Sequence, residues 1–114
     1  MIRVYVPASF AELARFHAAG VVPTTEAVLA EDASEEAEYD ALMDAAALSA
    51  QRAAATGDAR RVVIAVDVTT PGVGAPIADV ASVHVDPAPG ADPDDDLAWY
   101  ARQEIPDLLG ATEG

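Results

Sequence analysis

Apolar and polar residues alternate at the start of the chain, where Ile2, Val4 and Val6 are set against Arg3 and Tyr5. A period of two predicts a strand with one face more buried than the other, and Pro7 closes it. The pattern then becomes helical. Ser9 and Glu12 have the spacing of a capping box, Phe10, Leu13, Ala14 and Phe16 recur on one side, and Gly20 follows. These signals predict a helix over residues 10–19, with His17 acting as a cation near its negative end. A connector at 21–24 leads to a fainter strand signal over 25–30, carried by Ala27, Val28 and Leu29.

The run from Glu35 to Thr56 is rich in alanine, holds no Pro or Gly, follows the capping segment Asp32–Glu35 and ends at Gly57. It predicts the longest helix, with Tyr39, Leu42, Met43, Ala46, Ala50 and Ala53 as its apolar stripe and Met43 as a core filler. Residues 60–68 form a nearly continuous β-branched run, the pattern of a strand covered on both faces. Pro71, Gly72, Gly74 and Pro76 mark 69–76 as a loop, 77–80 reads as a short helical turn, and 81–86 reads as the next strand. Asp92, Pro93 and the acids at 94–96 have the charge order of a helix start, so a last helix is expected over 92–105, ended by Pro106. Leu108 and Leu109 would clip its end to the core.

The expected architecture is a small α/β domain over 1–110 with a frayed tail at 111–114 and the order β-α-β-α-β-β-α. Two strand–helix–strand passages favour about four mostly parallel strands with helices packed on the sheet. On the last expected helix Leu97, Ala101, Ile105 and Leu108 share a face and Trp99 lies about 200° from it. There Trp99 is exposed, covered by another segment, or buried in a partner. With Tyr100 and Arg102 it makes an interface candidate, because Trp, Tyr and Arg dominate binding hot spots.

Composition narrows the chemistry. With 52% hydrophobic residues in 114, the chain can bury a core despite a net charge of −14. Twenty acids face six basic residues, all Arg and scattered from Arg3 to Arg102, so neither nucleic acid nor an anionic membrane surface is an expected partner. No stretch approaches the ~20 apolar residues of a membrane span, and a soluble cytoplasmic protein is the expectation. The lack of cysteine removes disulfides, thiolate metal sites and Cys nucleophiles. No phosphate loop, dinucleotide fingerprint, nucleophile elbow or zinc-helix motif occurs, so no cofactor is expected.

Asp92, Asp94 and Asp96 have the alternation of a calcium loop, but Leu97 stands where such a loop needs Gly, and Gln103 where it needs Glu. Helix capping accounts for them instead. The best constellation is Asp67 at the end of one strand with His84 and Asp86 at the end of the next. His84 and Asp86 share a face at i and i+2. If the two strands are parallel neighbours, the trio meets at one sheet edge and could bind a divalent metal or act as an acid–base pair. If they are antiparallel, it falls apart.

Residues 3–8, 61–68, 83–86 and the segment Trp99–Ile105 together resemble a family of short actinobacterial proteins of unknown function. The resemblance spans nearly the whole chain and implies a small α/β domain with no assigned activity. Two functions remain: a protein-interaction or regulatory module without catalysis, with a protein partner or a second copy of the chain to bind, or a small metal-dependent or acid–base enzyme using Asp67, His84 and Asp86. The first is preferred, because a pocket of ~300 Å³ or more is hard to fit in so small a domain.

Overall fold

The computed structural model describes residues 1–57 and 60–113. The chain runs β1 (Ile2–Ala8), α1 (Phe10–Ala19), β2 (Val21–Val22), β3 (Val28–Leu29), α2 (Glu35–Thr56), β4 (Val62–Val68), β5 (Ala75–Pro76), β6 (Val80–Val85), β7 (Ala98–Tyr100) and α3 (Ile105–Glu113), with short 3₁₀ turns at Ile77–Asp79 and Arg102–Glu104. A five-stranded sheet has the order β3-β1-β4-β6-β7, and β2 pairs with β5 in a separate ribbon.

Both longer helices form where their end signals stand. The Ser9 hydroxyl accepts from the Glu12 amide and the Ser34 hydroxyl from the Ala37 amide, and Gly20 and Gly57 close the two helices at φ 76° and 78°. That left-handed turn costs glycine nothing and other residues strain. The face of α2 against the sheet is Ala41, Ala45, Ala46, Ser49 and Ala53, all buried, whereas Tyr39 and Ala50 of the expected stripe are exposed. Small side chains let the helix axis approach the strands, so alanines occupy the contact and the larger residues flank it.

The expected mostly parallel sheet is corrected: every pairing is antiparallel. α2 does join two strands of one direction, β3 and β4, but β1 lies between them and runs against both. The two connections after β4 then return the chain antiparallel through β6 and β7. Residues 21–22, expected as a connector, pair with 75–76. Thr24 holds that ribbon in place, donating to the Val73 carbonyl at 2.5 Å and accepting from the Gly72 amide at 3.0 Å.

Alternation divides the sheet into two cores. Val4, Val6, Val62, Ile64, Val66, Val83 and Val85 face Phe10 and Leu13 of α1 and Ile105 and Leu108 of α3. Tyr5, Val63 and Ala65 face α2, joined by Val28, Leu42 and Leu97. β4 is buried on both sides, in keeping with its nearly continuous β-branched run.

The helix expected over 92–105 does not form. Asp92 and Asp95 instead close a turn on each other, with the Asp95 amide donating to the Asp92 carbonyl at 2.9 Å and the Asp92 amide to the Asp95 carboxylate at 3.1 Å. Short carboxylates that bond nearby amides favour turns as readily as caps. Pro106 falls in the first turn of α3, where proline is tolerated, rather than ending a helix. Residues 111–113 belong to α3, and Gly114, the end of the expected tail, lies outside the described residues.

Candidate functional site

The α2 face of the sheet carries three rows of side chains. Arg3 stands beside Asp67, Tyr5 beside Ala65 and Ser82, and Pro7 beside Val63, His84 and Trp99. α2 lies over β3, β1 and β4, leaving the side towards β7 partly open. There a groove of about 200 Å³ is lined by Arg3, Tyr5, Glu38, Tyr39, Ser82, His84 and Trp99, with Leu42 and Ala65.

Trp99 is 61% exposed and Tyr39 48%. The Tyr39 hydroxyl donates to the Asp96 carboxylate at 2.8 Å, which ties α2 to the loop before β7. Burial holds the Tyr5 hydroxyl above its ordinary pKa, so the phenol stays protonated. Arg3 meets Asp67 through Nε at 3.0 Å and a terminal nitrogen at 3.2 Å, and that hydrogen bonding raises the pKa of the guanidinium. His84 shares a hydrogen bond of 2.9 Å between its Nε2 and the hydroxyl of Ser82. Burial lowers its pKa, with the Arg3 charge adding to the effect, so the ring is neutral near pH 7.

Asp67, His84 and Asp86 do not converge. β4 and β6 run antiparallel, and His84 stands opposite Val63, four residues from Asp67. At ~3.3 Å per residue the two groups are about 13 Å apart along the strand. Asp86 follows the end of β6, is 1% exposed and is engaged by Arg61. Its carboxylate accepts from the Arg61 amide, Nε and a terminal nitrogen at 2.8–2.9 Å. The same guanidinium reaches the carbonyls of Asp92, Pro93 and Asp95. The pair therefore anchors the 92–96 turn, and among the described residues no group of three or more His, Asp or Glu could hold a metal ion.

Of the interface candidates, Trp99 lies on the open face. Tyr100, its neighbour on β7, packs partly buried against the α1–α3 core. Arg102 donates to the Ala78 carbonyl. Tyr5, Glu38 and Tyr39 were missed as lining residues. Tyr39 had one available signal: a bulky residue in an alanine stripe cannot share the close contact its neighbours make.

Among the described residues no helix is long and apolar enough to cross a membrane. Residues 2–93 match a family of unknown function (DUF6912), and the chain belongs to that family. No curated protein and no solved structure matches it.

Proposed function

We propose that this domain is a protein-interaction module without chemistry of its own, and that Trp99 anchors its contact surface. The observation that carries this reading is a tryptophan 61% exposed on a three-residue edge strand, beside a groove lined by two tyrosines. A buried aromatic gains far more on binding than it contributes when wet, and Trp and Tyr are enriched at the centres of interfaces. The catalytic alternative loses its support where Arg3 and Arg61 engage Asp67 and Asp86.

The test places a photo-crosslinking residue at position 99, and at Val73 as an exposed control, in cells that make the protein naturally. A partner captured from 99 but not from 73 is identified, purified and titrated against the Trp99→Ser variant. Weakening of at least about 30-fold, the scale of a hot spot, supports the reading. Equal affinity of variant and wild type, or equal capture from both positions, contradicts it.

A further inference from the structure

We infer that the groove between α2 and β7 is a binding site for the guanidinium of an arginine side chain, presented by a basic segment of the partner. This rests on the interaction reading and goes beyond it by naming the chemistry that the surface accepts.

Two exposed aromatic residues, Tyr39 and Trp99, line the groove together with the buried Tyr5 and with Glu38. Aromatic faces attract cations, and the planar guanidinium stacks on them while its N–H groups reach carboxylates. The groove's own positive group does not oppose such a guest. Arg3 is matched by Asp67, and His84 is held neutral by burial. Glu38 remains, with Asp96 adjacent through Tyr39, so the local balance is negative.

Size and polarity narrow the occupant further. About 200 Å³ suits one side-chain head, below the ~300 Å³ at which small-molecule pockets begin. An aliphatic guest would strip water from Glu38 without replacing its hydrogen bonds. A second copy of the chain, also at −14, would bring like charge to an acidic rim. A basic segment brings the opposite charge and is steered inward by the field of the whole domain.

The probes are acetyl-Gly-Arg-Gly-amide and its neutral analogue with citrulline for arginine, titrated into the ¹⁵N-labelled protein at low salt. The arginine peptide should produce saturable shifts confined to the Trp99 indole and the amides around Tyr5, Tyr39 and Ser82–His84. Citrulline should bind at least about fivefold more weakly, since it keeps the shape and loses the charge. Glu38→Gln, checked as folded by its own spectrum, should weaken the arginine peptide at least about threefold, whereas Asp107→Asn, at an exposed position of α3, should leave it unchanged. Shifts that fail to saturate, that spread over the acidic surface, or that citrulline reproduces overturn the inference. A partner that crosslinks at position 99 yet ignores Glu38→Gln overturns the arginine site and leaves the interaction reading standing. Saturable arginine binding with no partner captured at position 99 does the reverse.

Discussion

Trp99 stands opposite His84 in the antiparallel pairing of β6 with β7, so both side chains rise from the same face of the sheet. Their surroundings differ. His84 has β4 on its other side and a hydrogen bond to Ser82, whereas Trp99 sits on the last strand and is mostly exposed. A half-buried polar ring therefore forms part of the groove floor and an exposed apolar one its outer wall.

That placement of His84 gives a pH dependence. Its folded pKa is lowered from the ordinary 6.5, so just below pH 6.5 the unfolded chain takes up a proton that the folded chain refuses. Stability from this group is fully present above 6.5 and is lost as pH falls towards the folded pKa. Urea unfolding from about pH 7.5 to about pH 5 should show that loss, and His84→Gln should remove it from the difference between the two proteins. Identical slopes for the two would exclude the effect.

The Arg61–Asp86 pair should be costly to break from one side. Both side chains are buried, at 7% and 2% exposure, and removing one partner strands a charge. Asp86→Ala should cost about 3–5 kcal/mol by denaturant unfolding, and replacing both residues by apolar ones should recover much of it. A loss under about 1 kcal/mol would show that the pair does not hold the 92–96 turn.

Ser49 should matter more than a helix serine usually does. Its hydroxyl donates to the Ala8 carbonyl at 2.6 Å and accepts from the Val62 amide at 2.7 Å, joining α2 to the paired ends of β1 and β4. Ser49→Ala leaves both backbone groups buried without that partner, at about 1–3 kcal/mol. Hydrogen exchange at Val62 should rise in the variant, and unchanged protection there would contradict this role.

The helices at 10–19 and 35–56 were legible because caps, glycine stops and period are local signals, and β4 was legible because a nearly continuous run of β-branched residues has few other uses. Strand direction was not legible. Periodicity shows that β1 and β4 are strands, but the placing of β1 between β3 and β4 depends on contacts far apart in sequence. The acidic segment 92–96 misled for a physical reason: Asp92, Pro93 and the following acids suit a helix start and a turn alike, and the choice was made by Arg61, about 30 residues earlier. At the site, Trp99 was visible as a large aromatic in want of cover. The condition attached to Asp67, His84 and Asp86 failed with the antiparallel pairing of β4 and β6. Tyr5 and Glu38 could not be placed in the groove, because their meeting there depends on how α2 crosses β1.

Whether Trp99 is left open by its own fold for another molecule is read by acrylamide quenching, since the chain has one Trp. Acrylamide is neutral and so is not repelled by the acidic surface. At a dilution where sedimentation shows a monomer, an open Trp99 gives red-shifted emission quenched nearly as fast as a free tryptophan derivative. Blue-shifted emission protected from quencher under those conditions would mean that the chain covers Trp99 itself, and would contradict the interaction reading.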